Sequence, residues 1–200
     1  MLTILKPGYL KIMQLYYHDK TMKLHLREIA RRTKLHEPST YRFLNSLEEE
    51  KILLSVKEGN LKKYFVRHNI RAHYIFQAFD LDRFERLPSI RSKAIKTYLD
   101  NLNHKPVFAV LFGSTAKGTY NKESDIDLLI IMNDNISLVN AQKEANALTG
   151  IKISTFQMTY NDFMVELKMK EDKMVQSALN TGYPLLNHIE YYEALYNERI

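Results

Sequence analysis

The chain has 200 residues, 45% of them hydrophobic and 26% charged, with only 6 Gly and 5 Pro, which excludes a fibrous or disordered chain and suits one large domain or two small ones. Zero Cys excludes a disulfide scaffold, thiol catalysis and every Cys-ligated metal centre. The net charge of +6 is unevenly spread: residues 1–104 hold 20 basic and 11 acidic side chains, net +9, whereas residues 105–200 hold 9 and 12, net −3. A polyanion is the expected partner of the basic half, although a solvated basic face with no partner fits the same numbers. The longest apolar runs, Val107–Phe112 and Leu128–Met132, fall far short of the roughly 20 residues that a spanning helix needs. The opening MLTILKPGYL has no basic segment followed by a long apolar stretch and a cleavage site. The expectation is a cytoplasmic protein without a membrane partner.

From Leu24 to Val66 the pattern predicts two short helices and a hairpin. Leu26, Ile29 and Ala30 share one face while Arg27, Arg31 and Arg32 point elsewhere. A turn near Leu35–Glu37 follows, Pro38 suits the first turn of a second helix over 37–50, and Thr40, Leu44 and Leu47 mark its buried stripe. Of the neighbours Tyr41 and Phe43, Phe43 is assigned to the core side. Ile52–Lys57 and Leu61–Val66 flank Glu58-Gly59-Asn60, the composition of two strands around a tight turn.

Residues 70–104 read as one or two helices, broken at Pro88, with Ile90, Ala94, Ile95, Tyr98 and Leu99 at helical spacing. His73 and His104 have no spaced partner and are assigned structural roles.

The densest chemical signal is VFAVLFGSTAKGTYNKESDIDLLIIM, residues 107–132. An apolar strand runs into Gly113-Ser114, a short helical stretch leads to Gly118, and a second buried strand opens with Ser124-Asp125-Ile126-Asp127. Glycine lets the backbone approach an anion closely, and the N–H groups of the following helical turn suit a phosphate, with the Ser114 hydroxyl beside them. Strand alternation puts Asp125 and Asp127 on one face and Ile126 and Leu128 on the other. Two carboxylates that close repel unless a cation lies between them, so the pair is read as a Mg²⁺ site for the phosphates of a nucleotide. A tight turn before a strand with two solvated aspartates is the plainer alternative.

A third strand is expected over 150–158, GIKISTFQM, and it contains no acid. Asp162 and Glu166 follow on what reads as a helix start, with nothing to place them at a metal. Residues 160–200 read as helix, turn and helix, broken at Thr181-Gly182-Tyr183-Pro184. Met164, Leu167, Met174, Val175, Ala178 and Leu179 are expected packing positions, and Tyr183, Tyr191, Tyr192 and Tyr196 are assigned to packing ahead of base stacking.

Two resemblances bear on function. REIARRTKLHEPSTYRFLNSLEEEKILLSVKEGNLKKYFV resembles the winged helix-turn-helix DNA-binding domains of bacterial and archaeal transcription regulators over about residues 8–69. It implies double-stranded DNA as partner, a reading helix carrying Glu37, Ser39, Tyr41 and Arg42, further contacts from Arg31, Arg32 and Lys34, and a wing lined by Lys57, Lys62 and Lys63. The spacing G-S-x-x-x-G-x5-S-D-x-D is similar to the signature of the DNA polymerase beta superfamily of nucleotidyltransferases, particularly its minimal members, over about residues 103–160. This resemblance implies Gly113, Ser114, Lys117, Gly118 and Ser124 as nucleotide-binding residues, Asp125 and Asp127 as metal-holding catalytic residues, and Mg²⁺ with an NTP, ATP foremost, as ligands. Active members usually add a third carboxylate on a neighbouring strand, and Ser154 stands where it is expected.

The combined expectation is an α+β protein: a winged helix at 1–69, a helical connector at 70–104, and a nucleotidyltransferase-type mixed sheet flanked by helices at 105–200. Mg-dependent transfer of a nucleotidyl group to an unknown acceptor is one functional expectation. A transcription regulator whose degenerate transferase domain only binds nucleotide or mediates dimerisation is a second, and a toxin–antitoxin component a third. A homodimer is compatible with each.

Overall fold

A computed structural model describes residues 6–134 and 137–196. The ends of the N-terminal and C-terminal readings, residues 1–5 and 197–200, therefore lie outside the described residues. The chain forms two compact units, Met1–Phe79 and Asp80–Ile200.

The first unit contains α1 (Pro7–His18), β1 (Leu24–His25), α2 (Leu26–Thr33), α3 (Glu37–Glu49), β2 (Leu53–Glu58) and β3 (Leu61–Val66). The strands form an antiparallel sheet in the order β1-β3-β2, with Glu58 opposite Leu61 at the tip of the hairpin. Ile12, Met13, Tyr16, Ile29, Leu44, Leu47, Leu53 and Tyr64 are buried. Inside that core the Tyr16 hydroxyl donates to the Tyr64 carbonyl at 2.9 Å, so the phenol is not left unsatisfied. Thr40, Leu44 and Leu47 face inward on α3 as their spacing predicts. Phe43 packs on Tyr9, ring centroids 4.7 Å apart, while Tyr41 is 53% exposed.

Helix α4 (Ile70–Glu85) spans the division between the units. The second unit continues with α5 (Ser89–Asp100), β4 (Phe108–Phe112), α6 (Gly113–Lys117), β5 (Ile126–Met132) and α7 (Val139–Thr149). It ends with β6 (Ile153–Thr159), α8 (Tyr160–Met169), α9 (Lys173–Thr181), β7 (Tyr183–Leu186) and α10 (His188–Tyr196). Its sheet runs β6-β5-β4-β7, antiparallel except for the parallel pair of β5 with β6. Ala109, Leu111, Ile126, Leu128 and Ile130 pack with Ala94, Ile95 and Tyr98 of α5 and with Ala141 and Ala145 of α7. On the other face, Phe108 meets Phe163 and Tyr191 edge-on, at 5.2 and 5.5 Å. The mixed sheet between helices is the expected α+β architecture.

Several details differ from the sequence-based expectation. Helix α5 contributes directly to the second core, although residues 70–104 read as a connector. Thr181-Gly182-Tyr183-Pro184 is not simply a break between helices: Tyr183–Leu186 form the edge strand β7, with Pro184 opposite Val110. A proline lacks the N–H of a ladder, and an edge strand tolerates that loss. Met174 is 44% exposed rather than packed, while Val175 and Ala178 are buried as expected. No described helix is long and apolar enough to cross a membrane.

Candidate nucleotide site and nucleic-acid face

At the end of β4 the chain turns through Gly113, whose φ is +69°. A Cβ on Gly113 would run into the Asp127 carboxylate, with Cγ only 3.0 Å away. Glycine is thus required both by the left-handed backbone and by the neighbour. Asp127 lies on β5 between Phe112 of β4 and Ser154 of β6, its register partners. Ile126 and Leu128 enter the core on the opposite face, so the period-2 alternation leaves Asp127 on the face away from α5 and α7.

The two aspartates have different environments. Asp125 Oδ2 accepts from Lys152 Nζ at 2.8 Å and from Ser154 Oγ at 2.9 Å, and these two bonds, Lys152 first, hold its carboxyl below the ordinary aspartate range. Asp127 takes no hydrogen bond from any described residue. Burial, and then repulsion from Asp125, push its carboxyl above the ordinary range. An unpaired, partly buried carboxylate beside a second carboxylate is suited to a cation.

Ser154 occupies the position on the neighbouring strand at which a third acid was sought, and it is engaged with Asp125. Asp162 and Glu166 serve elsewhere: Asp162 exchanges bonds with Thr159 at the start of α8, and Glu166 accepts from the Asp172 backbone N–H at 2.8 Å. Among the described residues no group of three or more His, Cys, Asp or Glu side chains converges as a metal centre.

The remaining expected nucleotide residues are distributed around the turn. Ser114 is half-buried in α6, and its hydroxyl has no hydrogen-bond partner among the described residues. Lys117 is exposed in the last turn of α6, and Gly118 caps that helix in the left-handed conformation. Ser124 is committed to its loop, its hydroxyl accepting from the Asn121 backbone N–H at 2.9 Å and donating to the Asn121 side chain at 3.0 Å.

Arg91, which sequence reasoning missed, anchors this loop from α5. Its buried guanidinium donates to Thr115 Oγ1 at 2.8 Å, to the Asn121 carbonyl at 2.9 Å and to the Ser124 carbonyl at 2.8 Å, and it stacks 4.1 Å from the centre of the Tyr120 ring. Thr115 in turn donates to the Asp125 carbonyl at 3.4 Å. The available signal was Arg91 itself, a basic residue on the same helical stripe as Ala94, Ile95 and Tyr98. Arg91→Ala should remove three hydrogen bonds, leave the Ser124 carbonyl without its donor and lower stability by about 3 kcal/mol, as urea denaturation will measure.

In the first unit, Arg31, Lys34, Tyr41, Arg42 and Lys57 are exposed and Ser39 is half-buried. Arg32 pairs with Glu28 at 2.5 Å, Lys62 with Glu48 at 2.7 Å and Lys63 with Glu58 at 2.6 Å. Glu37 lies 3.8 Å from Arg27, which offsets its charge at the start of α3. Arg31, Lys34, Arg42 and Lys57 have no ion pair among the described residues.

The fold and the turn define a helix-turn-helix unit followed by a nucleotidyltransferase-type domain. Residues 93–190 match the family model described as polymerase beta, nucleotidyltransferase, and residues 18–55 match that of the IclR helix-turn-helix domain. The chain therefore combines a polymerase beta-type nucleotidyltransferase domain with an IclR-type helix-turn-helix. The first of these matches begins within α5, just after Arg91, and the second ends within the first strand of the wing. No curated protein matches significantly. Among solved structures, that of TrmBL2, an archaeal chromatin protein described as showing a novel mode of DNA binding, matches 80% of this chain and 74% of its own at 16% identity. Its TM-score of 0.24 is too low to carry an argument.

Proposed function

We propose that the protein binds duplex DNA through its winged helix and a Mg²⁺-bound nucleoside triphosphate, ATP foremost, through its transferase-type domain, as a regulator that senses nucleotide. The observation that carries this reading is the replacement of the third acid by Ser154 beside an otherwise intact Gly113-Ser114 and Asp125-x-Asp127 turn. Asp125 and Asp127 would hold the metal, and Gly113 and Ser114 would meet the phosphates. Bound Mg²⁺ would offset the charge of carboxylates and phosphates together. Serine at its ordinary pKa is a poor base for an attacking hydroxyl, so binding is supported more strongly than transfer.

Transfer to an acceptor that is already ionised is the second reading, favoured by the close packing of Gly113 against Asp127. Triphosphates labelled at the α-phosphate separate the two: label retained by protein, RNA or DNA in a Mg-dependent manner establishes transfer, and its absence with saturable nucleotide binding supports the sensor.

For DNA, Arg42→Ala is expected to weaken binding, and Lys57→Ala to lower the slope of log affinity against log salt by about one. Lys62→Ala should change that slope less, because Glu48 already pairs with Lys62. Anisotropy titrations across a salt series check all three, and unchanged curves for Arg42→Ala and Lys57→Ala would overturn the placement of the DNA face.

A further inference from the structure

We propose that the nucleotide site takes one divalent cation and that Lys152 serves as its built-in second cation. This inference rests on the reading of Asp125 and Asp127 as the nucleotide site.

Three observations combine. First, both donors to Asp125, the Lys152 ammonium and the Ser154 hydroxyl, converge on Oδ2. Oδ1 of Asp125 and both oxygens of Asp127 take no hydrogen bond from any described residue, so the carboxylate pair is oriented with one face open. Second, the Lys152 carbonyl accepts the Ile126 N–H at 3.0 Å, which fixes the root of the lysine beside the aspartate-bearing segment. Its side chain is 71% exposed, so the ammonium at its tip remains open to solvent. Third, the position on β6 opposite Asp127 belongs to the neutral Ser154.

Charge then decides the stoichiometry. Two carboxylates and one ammonium leave a single net negative charge, and among the described residues no third carboxylate joins them to ligate a second divalent ion. An ammonium has three donors; one is used on Asp125, and two remain for phosphate oxygens. Lys152 is thus a positioning residue for Asp125 and an electrostatic partner of the triphosphate. A lysine at this position distinguishes the site from one built to activate an acceptor hydroxyl with a second metal.

The test uses the full chain, Mn²⁺ as a countable paramagnetic probe and a non-hydrolysable ATP analogue. Titration followed by electron paramagnetic resonance is expected to find one Mn²⁺ per chain in the nucleotide complex. Lys152→Ala should weaken analogue binding by about tenfold, with Lys152→Arg retaining most of it. The double variant Lys152→Ala/Ser154→Asp should take up a second Mn²⁺. Two Mn²⁺ per wild-type chain, analogue affinity unchanged in Lys152→Ala, or a count still at one in the double variant would each overturn the inference while leaving the nucleotide site standing. Wild type that binds neither Mn²⁺ nor analogue would overturn the nucleotide reading itself, and this inference with it. Circular dichroism confirms that each variant is folded; the exposed Lys152 side chain makes its replacement tolerable to the fold.

Discussion

Asp127→Asn is expected to weaken Mg-dependent nucleotide binding by about a hundredfold or more while raising the thermal stability of the folded chain at neutral pH. Both effects follow from one environment. Asp127 is partly buried, receives no hydrogen bond from the described residues, and faces Asp125, and these burdens outweigh the attraction of Lys152, which bonds to Asp125 instead. Its folded-state carboxyl is raised above the unfolded value, so the ionised form costs stability at neutral pH, and that cost disappears as pH falls through the raised folded value. An amide removes the charge without changing the shape and relieves the repulsion. It also removes a hard anionic ligand, which is what a divalent cation and its triphosphate require. Asp125 behaves oppositely: its bonds from Lys152 and Ser154 stabilise the fold above the unfolded aspartate pKa, and that contribution is lost as pH falls through the lowered folded value. Asp125→Asn should therefore lose nucleotide binding without the gain in stability. Melting curves at pH 7, read beside nucleotide titrations, check both variants, and a lower melting temperature for Asp127→Asn would contradict the account of its environment.

Gly113→Ala is expected to damage the fold and the nucleotide turn together. The left-handed backbone alone costs an alanine about 1–2 kcal/mol. The new methyl also lies against the Asp127 carboxylate, so the aspartate has to move out of the position that faces Asp125. Stability and nucleotide binding should fall together. Gly118→Ala, which shares the left-handed conformation but meets nothing within 4 Å, should carry only the backbone cost and leave binding largely intact. The comparison separates strain from collision, and equal loss of nucleotide binding in the two variants would remove the Gly113–Asp127 contact from the explanation.

The sequence made the winged helix legible because each of its elements had its own local signal. The Leu26/Ile29/Ala30 and Thr40/Leu44/Leu47 stripes, Pro38 in a first turn and Gly59 between two strand-like runs correspond to α2, α3 and the β2–β3 hairpin. The glycine–serine turn and the two aspartates were equally legible, since period-2 alternation alone puts Asp125 and Asp127 on one side of a strand. What escaped was decided by tertiary contact. Helix α7 presents mainly alanines to the core, too small to mark a stripe, and β7 carries a proline that only its edge position makes acceptable. Lys152 was one of many lysines until the parallel pairing of β5 with β6 brought it beside Asp125, and Arg91, on the apolar stripe of α5, gained its meaning only when the loop closed around it.

Calorimetric titration of the full chain with a non-hydrolysable ATP analogue, in Mg²⁺ and again in excess chelator, tests the central claim most directly. The account predicts saturable binding of one nucleotide per chain in Mg²⁺ that is lost in chelator and in Asp127→Asn. No binding of this or any other triphosphate analogue in Mg²⁺, with DNA present or absent, would contradict it.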